Sequence, residues 1–318
     1  MPSAATIPAL IQAEAVDIAG WPGDFAVYPQ GAREKRSAFC PDPAPEPELR
    51  PGWRYLFKES DHRYPDQFWG EIVAYRVGCL VGLEVPPAFA AWNSSTGECA
   101  ALIEWFYAEG RERLVLAGDD LQRLRPNFDR RRGSDHSMGD NVTLLRAYSH
   151  SGFLTTDWRA WWGNALAFDA LIGNVDRHQD NWGFVWEGVG SPARRARLTP
   201  LFDNGTALGY ERFPHLTNAW NDQRWEQYVS RGRHHVRWQH GDEQDRSHIS
   251  HVRRAMQVWP QICPELRRRF AGLTSADLAE SIHDLPNLML PVRMTPERFA
   301  LMLKLLGRRL SLLQQAIL

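Results

Sequence analysis

The sequence predicts an α+β protein in two lobes, a small β-rich N-terminal lobe over residues 1–107 and a larger, mainly helical C-terminal lobe over 108–318. Two patterns predict it. Short runs of alternating large apolar residues gather before residue 107. Long stretches of 3.6-residue apolar periodicity dominate from Trp158 onward. Strands first and helices later indicate segregated lobes, not alternating β–α units. The size permits this: 318 residues, 43% hydrophobic and 24% charged, can build a full core without disulfides or a structural metal.

The elements follow in order. Phe25–Tyr28 is a short β-like run, and the Gly31–Lys35 stretch after it is glycine-led and basic. Residues 41–51 are proline-dense and read as an extended connection. Trp53–Lys58 alternates rings with other residues, a strand that ends on a lysine. Between Tyr64 and about Gly82, Phe68, Ile72, Tyr75 and Cys79 recur at helical spacing; Pro65 suits the first turn and Gly82 the stop. Val85–Ala91 and Cys99–Tyr107 read as further strands. Residues 119–150 are polar and arginine-rich, a short helix and a long loop. Trp158–Ile172 is a helix, capped by Thr156 or Asp157, with Trp158, Trp161, Trp162, Ala165, Phe168 and Ile172 on one face. Phe184–Trp186 and Ala196–Leu198 flank the Gly/Pro-rich residues 188–192 as a hairpin. Helices are expected at 250–270, 275–284 and 295–316.

Charge and cysteine usage exclude some function classes. Thirty-seven basic against 38 acidic residues leave a net charge of −1, which argues against a dedicated nucleic-acid binder or a polybasic membrane binder. No apolar run reaches the roughly 20 residues of a membrane span. The N-terminus lacks a basic region ahead of an apolar one, so a secretory signal is not expected. The four cysteines are scattered without a CxxC pair, which suits reduced thiols and a cytoplasmic location. Lysine is confined to Lys35, Lys58 and Lys304 while arginine is abundant. A lysine kept against that bias points to a need for a compact ammonium.

The chemistry concentrates in Gly173-Asn174-Val175-Asp176-Arg177-His178-Gln179-Asp180-Asn181, between an apolar helix and a strand. An Asp followed five residues later by an Asn has a mechanical reading in phosphoryl transfer: the Asp accepts the proton of an attacking hydroxyl, and the Asn oxygen holds magnesium. The hairpin then returns the chain to Phe202-Asp203-Asn204-Gly205, bringing Asp203 near Asn181, with Gly205 allowing a sharp turn away. Asp176 and Asp203 could instead be ordinary turn residues of the hairpin. On the N-terminal side, Glu71 falls on the apolar face of its helix, where a carboxylate needs a partner, and Lys58 is the natural one. A strand lysine paired with a helix glutamate is how kinases hold nucleotide phosphates.

Gly31-Ala32-Arg33-Glu34-Lys35 with the following Arg36-Ser37-Ala38-Phe39, the strand lysine, the Asp176 loop and Leu201-Phe202-Asp203-Asn204-Gly205, in this order, resemble the HipA-like serine/threonine kinases, which are related to the phosphatidylinositol kinase fold. The resemblance covers roughly residues 25–210. It implies a two-lobed protein-kinase-like fold, ATP and Mg²⁺ as cofactors, and transfer of a phosphoryl group to a hydroxyl. Residue by residue it implies Asp176 as the catalytic Asp, Asn181 and Asp203 as Mg²⁺ ligands, and Lys58 on the ATP phosphates, positioned by Glu71. Gly31, Ala32, Arg33 and Lys35 would lie near the γ-phosphate, and Glu104, Trp105 and Phe106 would form the hinge that meets adenine. His178 would orient Asp176, approach the γ-phosphate or make a structural hydrogen bond. The acceptor would be a protein, or alternatively a small hydroxylated molecule or lipid headgroup; a nucleotide-binding module without turnover is the third reading. An antitoxin-type partner is admitted by the resemblance, and no membrane association is expected. Full-length HipA toxins carry an extra N-terminal subdomain, expected to be missing here, and an autophosphorylated serine shortly before the glycine loop. Val27, Tyr28 and Pro29 stand at the matching positions, which would shift any such switch to a residue such as Ser37.

Two basic segments lie outside this set. His234, His235, His240, His248 and His251 accompany Arg231, Arg233 and Arg237; no cysteine is spaced to complete a zinc site, leaving a solvated loop or a contact for an acidic substrate. Arg130–Arg132 read as a loop, a phosphosite cradle or an RNA contact.

Overall fold

The computed structural model describes residues 11–24, 35–131, 133, 135–188, 190–191, 193–239, 241–242 and 246–318. Its strands are β1 (Val16–Asp17), β2 (Gly23–Asp24), β3 (Lys35–Phe39), β4 (Arg54–Glu59), β5 (Ala88–Asn93), β6 (Glu98–Glu104), β7 (Glu112–Leu116), β8 (Gly183–Glu187) and β9 (Arg195–Leu198). Its helices are α1 (Trp69–Leu80), α2 (Ala117–Leu124), α3 (Met138–His150), α4 (Trp158–Ile172), α5 (Pro214–Thr217), α6 (Asp222–Ser230), α7 (His248–Val258), α8 (Cys263–Phe270), α9 (Ser275–Glu280) and α10 (Pro296–Ile317). The chain divides into two compact units. One takes the chain up to Trp105 with Asn204–Trp220 and Thr274–Gly307; the other takes Phe106–Asp203, Asn221–Leu273 and Arg308–Leu318.

The first unit is built on a six-stranded sheet of order β1-β5-β6-β4-β3-β2, with β1 parallel to β5 and the other pairs antiparallel. The period of two along β4 explains its packing. Tyr55 and Phe57 join Val16, Cys40, Leu49, Phe89 and Leu102 in a buried cluster. Leu56 and Lys58 therefore face the other side of the sheet, where Lys35 of β3 lies directly opposite Lys58. β3 itself was not expected from the sequence, in which Lys35 closes a loop.

Helix α1 starts at Trp69, later than the spacing predicts, because the residues after Pro65 form turns. It ends as expected ahead of Gly82, whose φ is +66°. Residues 69–79 are all buried, so α1 is enclosed on every side and not merely along one face. A Cβ on Gly78 would come within 2.4 Å of the Val85 side chain, so only glycine permits that contact.

The later segments belong to this unit for a visible reason. Arg298 of α10, 1% exposed, donates to the Asp66 carboxylate at 2.6 and 3.0 Å and to the carbonyls of Gly209 and Arg212. Arg76 of α1 donates to Asp284 at 2.9 Å. Buried guanidinium groups need such partners, and the partners come from distant parts of the sequence.

The second unit holds the expected hairpin, with Phe184 opposite Leu198, and a third strand, β7, that the sequence reading missed. Gly183 makes β7 possible: a Cβ there would be 2.3 Å from the Val115 carbonyl. Residues 117–150 form two helices in place of one helix and a long loop. α4 runs over the expected residues, with Asp157 as its N-cap and Gly173, at φ +71°, as its end. Trp158 packs edge-on against Trp259, and Trp162 against Trp182, so these rings are core. All four cysteines are unpaired. Among the described residues, no helix is long and apolar enough to cross a membrane.

Candidate active site

The Asp176 loop is held by its own short-range hydrogen bonds. The Asp176 amide donates to Asn174 Oδ1 at 3.0 Å, and the Asp176 carbonyl accepts from the His178 amide at 2.8 Å and from Asn181 Nδ2 at 2.7 Å. That last bond decides how Asn181 is oriented. With its nitrogen committed to Asp176, its Oδ1 is the end turned elsewhere, and the residue is only 3% exposed. Asp176 itself is half-buried. His178 Nδ1 accepts from the Asp180 amide at 3.1 Å, so its proton sits on Nε2; its ring lies edge-on to His235, with centroids 5.8 Å apart.

Asp203 adopts φ +57°, the left-handed region that costs a non-glycine residue about 1–2 kcal/mol. Asp203 thus takes the left-handed conformation itself, and Gly205 lies in the turn that follows, closed by the Ala207 amide on the Asn204 carbonyl at 3.0 Å. Strain on a short carboxylate at a loop edge is a frequent mark of a functional position. Arg177 ties this segment to the loop: its Nη1 donates to the Asn181 carbonyl at 3.2 Å and to the Phe202 carbonyl at 2.6 Å.

Arg177 is in turn gripped by a residue that the sequence reading passed over. Asp169 of α4 is fully buried and accepts from Arg177 Nη2 at 2.8 Å and Nε at 3.1 Å, from His234 Nε2 at 3.1 Å and from Asn174 Nδ2 at 3.3 Å. Burial alone would raise the Asp169 carboxyl, but Arg177 and His234 hold it below the usual carboxylate range. A signal was available, since a carboxylate inside the run Leu166–Ile172 demands a cation.

In the first unit, Lys58 Nζ donates to Glu71 Oε1 at 2.5 Å, with side-chain exposures of 3% and 4%. The second carboxylate oxygen, Oε2, accepts from the Asn204 amide at 2.9 Å. The pair read from the sequence is thus brought together, and Glu71 also reaches the residue that follows Asp203 in the chain. Leu56 and Ile103, cross-strand partners, lie beside Lys58 on the same face of the sheet and are half-buried.

The remaining site residues are placed as follows. Gly31, Ala32 and Arg33 lie outside the described residues, as do Val27, Tyr28 and Pro29. Lys35 is half-buried opposite Lys58. In the segment expected as the hinge, the Glu104 amide donates to the Pro87 carbonyl at 2.8 Å, and Pro87, having no N–H, returns nothing to the Glu104 carbonyl. Trp105 uses both backbone groups internally, its amide on Arg54 and its carbonyl on Trp53 Nε1. Burial raises the Glu104 carboxyl. Phe106 stacks on Phe202 with centroids 5.2 Å apart. Ser37 is 2% exposed and accepts from Arg54 at 3.2 Å, an enclosure that does not suit a phosphoacceptor.

Of the histidine segment, His240 lies outside the described residues, and three of the others make internal bonds. His234 bonds Asp169, His248 donates to the Asn174 carbonyl at 2.7 Å and His251 to the Val236 carbonyl at 2.8 Å. Burial pulls His248 and His235 down to about 3. Arg130 spans Asp119 and Asp180, which makes its loop a brace on the Asp176 loop. Among the described residues, no group of three His, Cys, Asp or Glu is placed to hold a metal. The ligands expected from the sequence, Asn181 Oδ1 and the Asp203 carboxylate, are hard donors, of the kind suited to an ion that keeps waters and binds phosphate.

Comparisons with known proteins bear on the family and the fold. Residues 28–267 match the family model of the HipA-like C-terminal domain. Among solved structures, the chain is similar to the Helicobacter pylori proinflammatory kinase CtkA at 15% identity and a TM-score of 0.73, covering 95% of this chain and 98% of that one. It also aligns with HipA of Shewanella oneidensis MR-1, solved as a toxin–antitoxin complex with HipB and operator DNA, at 14% identity and a TM-score of 0.48, covering 93% of this chain and 66% of that one. No curated protein matches the chain. The likeness to CtkA shows a kinase-like α+β fold, with a small sheet-based part and a larger helical part.

Proposed function

Because the chain belongs to the HipA-like C-terminal domain family, we propose that it is an ATP- and Mg²⁺-dependent kinase that phosphorylates a serine or threonine hydroxyl of a protein. The observation that carries the reading is the buried Lys58–Glu71 pair, made by the chain's rare lysine and the single acid of an apolar helix. Burying two charges at such a point has a clear use if the ammonium is to be presented in one fixed direction to an anion.

In this reading Lys58 contacts the α- and β-phosphates and Glu71 orients it. Lys35 adds a second cation on the same face of the sheet, and the family resemblance implies that Gly31, Ala32 and Arg33 would serve the γ-phosphate with it. The exocyclic amine of adenine is taken by the Glu104 carbonyl, to which its strand neighbour Pro87 donates nothing. Leu56 and Ile103 supply an apolar surface for the base. Trp105, with both backbone groups engaged, serves the hinge through its neighbours Glu104 and Phe106.

Asn181 Oδ1 and the Asp203 carboxylate would hold Mg²⁺, which when bound would supply charge neutralisation to the phosphates. The fit rests on the Asn181 amide, whose nitrogen is already bonded to Asp176. Asp176 accepts the proton as the acceptor hydroxyl attacks the γ-phosphorus and the bond to ADP breaks. Holding these groups in place is nearly all that such a reaction asks of the protein. An antitoxin-type partner belongs to this proposal only as a regulator to be sought. Incubation with γ-labelled ATP and a cell lysate tests the reading. Label should appear in protein on serine or threonine; label confined to small molecules would replace the protein acceptor with a small hydroxylated one.

A further inference from the structure

We propose that Asp169 is the positioning residue of this site, setting through Arg177 and Asn174 where Asp176, Asn181 and Asp203 present their oxygens; the inference rests on the roles proposed for those three. Asp169 has every lone-pair direction in use. Oδ1 accepts from Arg177 Nη2 at 2.8 Å and Asn174 Nδ2 at 3.3 Å, and Oδ2 from Arg177 Nε at 3.1 Å and His234 Nε2 at 3.1 Å. A carboxylate so saturated in the middle of a buried helix is a rigid point of reference.

Two branches leave it. Through Asn174, whose Oδ1 accepts the Asp176 amide at 3.0 Å, it fixes the backbone of the proton acceptor. His248 holds the carbonyl of the same asparagine from the other side. Through Arg177, whose Nη1 bonds the Asn181 and Phe202 carbonyls, it fixes the backbone of one metal ligand and of the residue before the other. A side-chain oxygen lies only a few bonds from its own backbone, so three anchored backbones define the spread of the working oxygens. The fork of a guanidinium is essential to the second branch. Lysine could pair with Asp169 but could not also reach two carbonyls, because its ammonium is a point donor.

The test uses the full chain and separates the branches. Mn²⁺ is titrated by EPR in the presence of the non-hydrolysable analogue AMP-PNP, phosphoryl transfer is measured in parallel, and urea unfolding is recorded for each variant. Arg177→Lys should fold and weaken Mn²⁺ binding at least tenfold. Asn174→Ala should leave the Mn²⁺ affinity within threefold of wild type while lowering kcat at least tenfold. A folded Arg177→Lys protein that binds Mn²⁺ like wild type overturns the proposal, as do equal shifts of both readouts in both variants, or unfolding of both, which would mark a purely structural network. Wild-type protein that takes up no Mn²⁺ with AMP-PNP would instead sink the metal roles of Asn181 and Asp203, and this inference with them.

Discussion

Replacing Glu71 separates the stability of the Lys58–Glu71 pair from its function. Both side chains are at least 96% buried, and the second Glu71 oxygen accepts from the Asn204 amide. Removing one partner of a buried pair strands the other charge, at about 3–5 kcal/mol. Losing the acceptor of a buried amide adds about 1–3 kcal/mol. Glu71→Ala should therefore cost about 5 kcal/mol, close to the whole stability of a marginal domain. Glu71→Gln keeps an acceptor for Asn204 and should cost about 3 kcal/mol. The double variant Lys58→Met with Glu71→Gln removes both charges and should recover to within about 1 kcal/mol of wild type. Urea unfolding at constant m-value reads these differences, and a fluorescent ATP analogue reads binding. The double variant should be stable and should not bind nucleotide. If Glu71→Gln matches wild-type stability, the pair is not the buried contact described; if the double variant binds nucleotide normally, Lys58 does not serve the phosphates.

Three further outcomes follow from the geometry. Asp176→Ala should lower turnover about 100- to 1,000-fold, the scale of one lost transition-state contact, with ATP affinity within about threefold of wild type. Asp203→Gly should be more stable than Asp203→Ala by about 1 kcal/mol, because φ +57° suits glycine, yet both should lose turnover and metal binding. Acid should destabilise the fold well above the carboxylate range. His248 and His235 are held near 3 by burial, and burial also lowers His136, against about 6.5 when unfolded. The unfolded chain binds more protons between those values, so stability is complete above about pH 6.5 and falls towards pH 3, by ~1 kcal/mol per pH unit for each fully buried histidine. Urea midpoints that stay constant from pH 7 to 5 would contradict this. Asp169, held low by Arg177 and His234, adds stability that is complete above the ordinary carboxylate range and is lost progressively as the pH falls towards its depressed value.

Much of the fold was legible where the local pattern and the tertiary environment agree. The helix Trp158–Ile172 carries its own cap and stop, and the hairpin at 184–198 carries its own turn. Lys58 and Glu71 could be paired from sequence because a carboxylate on an apolar helix face has few solutions. β3 and β7 were hidden because their residues are charged and irregular, and their register is set by partners elsewhere, Lys58 for one and Gly183 for the other. The return of 204–220 and 274–307 to the first unit depends on Arg298 and Arg76, whose partners Asp66, Gly209, Arg212 and Asp284 are far away in sequence. The turn expected at Gly205 is present, but the left-handed strain at Asp203 carries no sequence signal, because glycine is the usual left-handed residue. Asp169 was passed over because its neighbours are apolar and its partners lie 5, 8 and 65 residues on.

The most direct test of the account is a crystal structure with Mg²⁺ and AMP-PNP. It should place the metal about 2.1 Å from Asn181 Oδ1 and an Asp203 carboxylate oxygen, with Lys58 Nζ hydrogen-bonded to the α- or β-phosphate and adenine against Glu104. A nucleotide whose phosphates avoid Lys58, or a metal held by other side chains, would contradict it.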